Sequence, residues 1–230
     1  MMGGHHAASG AALWVGLTST TLGAGLMPLD PAGVATGSLV CAGAALLPDL
    51  DHRRATLTRA LPPISSVGAR VVEAAAGGHR QGTHSLAGIA VAVIFAVLAG
   101  RTPWVPVLAS LLLGSLAFTA LKIVPGPKTG WLVGIAVALA VAAAGPGGEA
   151  WFPWAIGLGV AAHVLGDALT RGGVALLWPV SGRRFAVPVL GLTGSLREWL
   201  LMTPLSLYAT VGLLLSAAQA LGLWSGGGGL

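Results

Sequence analysis

Seven stretches of almost uninterrupted apolar residues take up most of this chain: residues 7–26, 33–47, 85–100, 104–124, 131–144, 151–169 and 199–223. In lipid, such segments must pair every backbone N–H and C=O internally, and helices do this within a single segment. Only 8% of the residues are charged, 55% are hydrophobic and the mean hydropathy is +0.84, whereas a soluble domain of 230 residues would carry far more surface charge. We therefore expect an all-α fold, a polytopic transmembrane helical bundle of about seven apolar segments. The 36 glycines suit helices that approach one another closely. A spanning helix needs about 20 residues, so the second and fifth segments are short and fit tilted or partial spans. Trp104, Trp131, Trp151, Trp154, Trp199 and Trp224 fall at or near segment ends, where an interfacial aromatic belt places them.

The basic residues sort by side. Arg53, Arg54, Arg59, Arg70 and Arg80 lie between the second and third segments. Lys122 and Lys128 flank the turn after the fourth, and Arg171, Arg183, Arg184 and Arg197 lie between the sixth and seventh. Of the 12 Lys and Arg, only Arg101 falls on the opposite side. The positive-inside rule then puts the N-terminus and these three loops in the cytoplasm. The net charge of +5 is spread between hydrophobic segments, which argues against a nucleic-acid partner despite a pI near 10.7. The first segment has no basic n-region or cleavage motif and reads as a retained helix. Cys41, the single cysteine, can form no intramolecular disulfide and reads as a packing residue. No repeat divides the chain, so residues 1–224 form one integral-membrane domain, followed by a flexible glycine-rich tail at 225–230.

Against this apolar background the polar residues cluster. Asp49, Asp51 and His52 follow Pro48; His79 and His84 flank Arg80-Gln81-Gly82-Thr83; His163 and Asp167 stand four apart. That last spacing puts both side chains on one helix face. Pro48 ends or kinks an apolar run, leaving Asp49, Asp51 and His52 on irregular backbone that can turn toward a common point. His79 reads as a loop residue, with Thr83 capping the next helix and His84 in its first turn. His6 precedes the first segment, so all these groups meet at the cytoplasmic face. A carboxylate or imidazole near bilayer depth is costly unless paired or functional, and the clustering points to a metal centre. Residues 64–75 carry Ile64, Val67, Val71, Val72 and Ala75 at helical spacing, which predicts a short interfacial amphipathic helix between the second and third segments. Residues 174–189 read as a re-entrant or surface loop over the site.

Five motifs carry a family resemblance. Leu46-Leu47-Pro48-Asp49-Leu50-Asp51-His52, Gly78-His79-Arg80-Gln81-Gly82-Thr83-His84-Ser85, and His163-Val164-Leu165-Gly166-Asp167 with Thr170, Gly173 and Leu177-Trp178-Pro179 resemble the YdjM-like membrane-bound metal-dependent hydrolases. His6-Ala7-Ala8-Ser9-Gly10 is similar to that family's early histidine element, and Gly194-Ser195-Leu196-Arg197-Glu198 to its late Gly-x-x-x-Glu element. Gln81 stands where the family pattern has glycine. The resemblance spans about residues 3–200 and implies a bacterial inner-membrane protein with hydrolase activity.

The expected site takes His6, Asp49, His52, His84, His163 and Asp167 as metal ligands, with His5 an alternative to His6. Asp51 and His79 bind the metal themselves, hold a ligand imidazole or act as general base, and Glu198 assists acid–base chemistry or pairs with a basic residue. Arg80 and Arg184 bind an anionic part of the substrate. Mixed His and Asp donors favour Zn, with Mn or Fe possible, and suffice for one or two ions. The chemistry would be attack of a metal-activated water on an ester, such as a phospholipid or lipid-linked phosphoester, at the cytoplasmic membrane interface. A metal or proton-coupled transporter would use the same residues, but would favour mid-membrane ligands and internal repeats. An intramembrane protease would want His-Glu-x-x-His, absent from the chain, or a serine dyad, for which Ser85 beside His84 is weak support. A reporter fused after Leu61 or at Ser181 should read cytoplasmic and one at Gly147 external; a periplasmic signal after Leu61 would reverse every motif together.

Overall fold

The computed structural model describes residues 1–52, 64–102, 104–122, 127–143 and 150–225. Arg53, Arg54, Arg59, Pro62, Pro63, Val124, Ala144, Gly147 and the tail at 226–230 lie outside the described residues. Eight α-helices are described: α1 (Gly3–Thr18), α2 (Pro31–Ala44), α3 (Ile64–Ala75), α4 (Leu86–Ala99), α5 (Trp104–Leu121), α6 (Pro127–Ala143), α7 (Phe152–Ala168) and α8 (Leu196–Ala220). Among the described residues β-structure is limited to two isolated bridges in the α7–α8 loop.

Each of the seven apolar segments contains a helix, and among the described residues three stretches are, by length and composition, long and apolar enough to cross a membrane: Pro31–Asp51, which is α2 with the 3-10 turn after it, Trp104–Leu121 and Leu196–Ala220. The limit is length. At about 1.5 Å rise per residue, the 16 residues of α1 and 17 of α7 reach about 24–26 Å, against a hydrocarbon core of about 30 Å. The helix over Ile64–Ala75 forms where periodicity predicts it, with Ala69 buried and Val67 and Val71 exposed.

Local sequence sets the helix starts. The Asp30 carboxylate accepts the Gly33 N–H at 2.7 Å with Pro31 at the first position of α2. The Ser195 hydroxyl accepts the Glu198 N–H at the start of α8. One boundary differs from expectation: Gly82–His84 form a short 3-10 turn and Ser85, not Thr83, caps α4 by accepting the Gly88 N–H. Thr83 is thereby left free to turn inward.

The core centres on α2, which packs against α1, α5, α7 and α8. Glycine makes these contacts close. A Cβ at Gly10 of α1 would fall 2.7 Å from the Cys41 carbonyl oxygen, and one at Gly159 of α7 only 2.3 Å from that same atom. At Gly43 it would lie 2.2 Å from the Leu113 carbonyl of α5, and at Gly37 it would strike the fully buried Trp14. Trp104, Trp154, Trp199 and Trp224 are exposed, and Cys41 is buried at the α1–α2–α7 crossing. Gly43→Ala should destabilise the protein by about 1–3 kcal/mol through overpacking. Gly68→Ala, where a Cβ meets nothing within 4 Å, should leave it unchanged or stabilise it by about 0.5–1 kcal/mol. Unfolding of the detergent-solubilised variants reads the contrast.

Candidate metal centre

Pro48 ends the apolar run of α2 and starts a 3-10 turn, Pro48–Asp51, that aims Asp49 and Asp51 toward the 3-10 turn before α4 and the C-terminal turn of α7. His84 and His163 are fully buried, and Asp51, Asp167 and His6 are 1% exposed. Burying so many ionisable groups is costly unless they are paired or ligate a cation.

Asp51 is a hub. Its Oδ1 lies 2.7 Å from His79 Nδ1, while Oδ2 accepts the Thr83 hydroxyl at 2.5 Å and the Arg80 N–H at 3.3 Å. Because the Thr83 proton goes to Asp51, its oxygen accepts from His84 Nδ1 at 2.9 Å. On the other side, His163 Nδ1 lies 2.6 Å from the Ala45 carbonyl, which can only accept. Both imidazoles therefore carry their proton on Nδ1 and, when neutral, present a bare Nε2. Those two Nε2 atoms face each other at 3.0 Å.

Two facing lone pairs repel unless a cation lies between them, and carboxylates complete such a seat. Asp167 Oδ2 is 3.5 Å from His84 Nε2 and 3.8 Å from His163 Nε2, and Asp49 Oδ1 is 3.8 and 3.7 Å from the same two atoms. Four donors around a tetrahedral ion with bonds of about 2.1 Å stand about 3.4 Å apart, so these side chains fit a Zn-like ion. His163 and Asp167 share a face but do not satisfy each other at 3.8 Å, beyond hydrogen-bond reach.

The donors form two adjoining groups, Asp49, Asp51, His79 and His84 on one side and His6, His163 and Asp167 on the other, each able to hold an ion. His6 stacks on His163 with ring centroids 3.6 Å apart. Its Nε2 lies 3.2 Å from Asp167 Oδ1, yet neither buried ring nitrogen makes a hydrogen bond, which suits an imidazole that serves a metal. His5 turns away, 2.6 Å from Glu198, so of the neighbouring pair it is His6 that faces the centre.

Arg80 closes one side. Its backbone is left-handed, φ +64°, and its Nε lies 3.0 Å from Asp167 Oδ2 while Nη1 reaches Thr170 Oγ1 at 3.2 Å. A Cβ on Gly172 would fall 2.1 Å from Arg80 Nη1, so glycine there gives the guanidinium its space. The α7–α8 loop lies against this residue, with Ala175 N–H donating to the Arg80 carbonyl. The Met1 amino group also contacts Asp167. The centre opens at Asp49 and His79, whose side chains are 24% and 36% exposed.

The remaining candidates lie outside both donor groups. His52 sits with its ring 4.8 Å from that of His79. Glu198 is fully buried and commits its carboxylate to the Met2 N–H, His5 and the Gly194 N–H, tying the start of α1 to α8. Arg184 is exposed and donates to the Gly172 carbonyl at 3.3 Å. Sequence reasoning missed Thr83 as the link between Asp51 and His84, although its place beside His84 was the available signal.

The family described as YdjM inner membrane protein matches residues 1–225, and the chain belongs to that family. No curated protein and no solved structure matches the chain significantly. If His84 and Asp167 both hold the ion, His84→Ala and Asp167→Asn should each lower the metal content of purified protein to background, while Arg184→Ala should retain it. Thr83→Val should weaken metal affinity by about 10- to 100-fold, as loss of a ligand's supporting hydrogen bond does. Elemental analysis and competition with a chelating dye measure both.

Proposed function

We propose that this member of the YdjM inner-membrane family is a metal-dependent hydrolase acting on ester bonds at the cytoplasmic face of the membrane, with a chain that crosses the bilayer several times. The observation that carries the reading is the pair of bare Nε2 atoms of His84 and His163, 3.0 Å apart and flanked by Asp49 and Asp167. Zinc is the favoured ion, and a second ion would take His6 with a bridging Asp167 carboxylate. A bound ion would lower the pKa of its water to about 7 and polarise an ester oxygen.

The residues around it divide the remaining work. His79 lies at the opening with Nδ1 held by Asp51, so its Nε2 is the candidate base or acid for a proton at the reacting atoms. Asp51 acts through His79 and, by way of Thr83, His84, and is a positioning residue. Arg80 supplies a guanidinium beside Asp167 that can bind the anionic part of a phosphoester. Glu198 anchors the start of α1, and with it His6, rather than exchanging protons. The exposed Val67 and Val71 of α3 suit a helix lying on the inner membrane surface.

Wild-type protein loaded with Zn or Mn should hydrolyse members of a phosphoester and carboxyl-ester panel, and chelation should abolish turnover reversibly. His79→Ala should retain metal while lowering kcat by about 10²- to 10⁴-fold, the usual contribution of general acid–base catalysis. Ion uptake into vesicles without hydrolysis of any ester would instead identify a transporter.

A further inference from the structure

Beneath α3 runs an apolar groove of about 580 Å³, bounded by the end of α2, α4, α7 and the α7–α8 loop. Its size lies within the range of small-molecule sites, about 300–1,000 Å³. Leu47, Val72, Val91, Phe95 and Val160 line it, and the Thr83 hydroxyl and the Trp178 indole are the polar side-chain groups among its lining. Three features identify its occupant. Val91 and Phe95 at its rim are 65% and 71% exposed on an apolar helix of an inner-membrane protein, so the rim meets lipid rather than water. Its lining includes Gly82 and Thr83, and the Thr83 hydroxyl is 2.5 Å from Asp51 and 2.9 Å from His84. Thr83 thus belongs both to the groove lining and to the hydrogen bonds that hold Asp51 and His84. His79 and Arg80 lie outside the groove lining but contact the same Asp51 as Thr83, and the partly exposed imidazole and the guanidinium complement an anionic head group.

We propose that this groove is the acyl-chain subsite of the enzyme, so that the substrate is an amphiphilic ester whose single hydrocarbon chain lies between α3 and α4 while its head group reaches the His/Asp centre. The proposal rests on the hydrolase reading for its catalytic consequence, but binding of the chain can be tested apart from catalysis. In this reading the chain's apolar carbons lie at the exposed Phe95 and Val91 and its polar junction at Thr83. Glycine shapes the lining near Thr83, since a Cβ at Gly88 would fall 2.3 Å from the Gly82 carbonyl oxygen.

The test uses the whole chain in detergent and two groove-filling variants, Ala92→Phe and Ala75→Trp, neither of which touches the metal centre. Ala75 lies on an exposed position of α3, so this second variant keeps the test available if Ala92→Phe fails to fold. A single-chain phosphoester amphiphile with a terminal diazirine should crosslink to Val72, Val91 and Phe95, and both variants should suppress those adducts. In turnover, the variants should lower kcat/KM for a long-chain ester by about tenfold for every two methylenes denied burial, and leave a short-chain ester of the same head group unchanged. Adducts spread over the exposed α8 residues Leu200, Leu207 and Leu214, and indifferent to the variants, would overturn the groove assignment. If no ester is hydrolysed while groove adducts form and are suppressed, the hydrolase reading fails and the lipid site stands.

Discussion

The carbonyl of Cys41 takes the backbone of two other helices almost into contact, and the candidate metal centre depends on that approach. Gly10 and Gly159 both face this one oxygen, so α1 and α7 are held against α2 at a distance no side chain would permit. One turn further along α7 stands His163, and one turn further along α2 is Ala45, whose carbonyl takes the His163 Nδ1 proton. His6, one turn before Gly10, then lies flat on His163. The close packing that builds a membrane bundle from small residues therefore also fixes the register of two donors, His6 and His163.

Electrostatics explains why this register is worth holding. Asp49, Asp51 and Asp167 bring three carboxylates into a largely buried region, against which the structure sets the Arg80 guanidinium and the Met1 amino group. Asp51 is accommodated by hydrogen bonds from His79, Thr83 and the Arg80 backbone. Asp49 and Asp167 instead flank two nitrogen lone pairs, an arrangement that is unfavourable by itself and favourable around a divalent cation. Binding the ion is then coupled to the packing of the whole bundle, since ligands from the end of α2, the turn before α4 and α7 must converge to make it.

Much of this was legible in the chain. The four-residue spacing of His163 and Asp167, the proline that frees Asp49 and Asp51, and the amphipathic period of residues 64–75 are local patterns, and local patterns survive into structure. The choice between His5 and His6 was not legible, because both stand on one helix turn and only the distant Glu198 separates them. Thr83 read as a helix cap because Ser and Thr at such places usually are, yet Ser85 took that role and left Thr83 to the site. The number of crossings is not legible for a similar reason. Apolar composition marks every helix that avoids water, whereas crossing also demands length, and the 16 residues of α1 and 17 of α7 stand near the lower end of what spans a bilayer.

The burial of Cys41 has a practical side. The chain contains one thiol, and it is sealed where α1, α2 and α7 cross, with no exposed surface. Toward a membrane-impermeant maleimide the wild-type protein is already a cysteine-free background. Any single cysteine placed on a loop or along the rim of the groove beneath α3 would report its own accessibility without prior removal of the native residue, sparing the helix crossing on which the candidate centre relies.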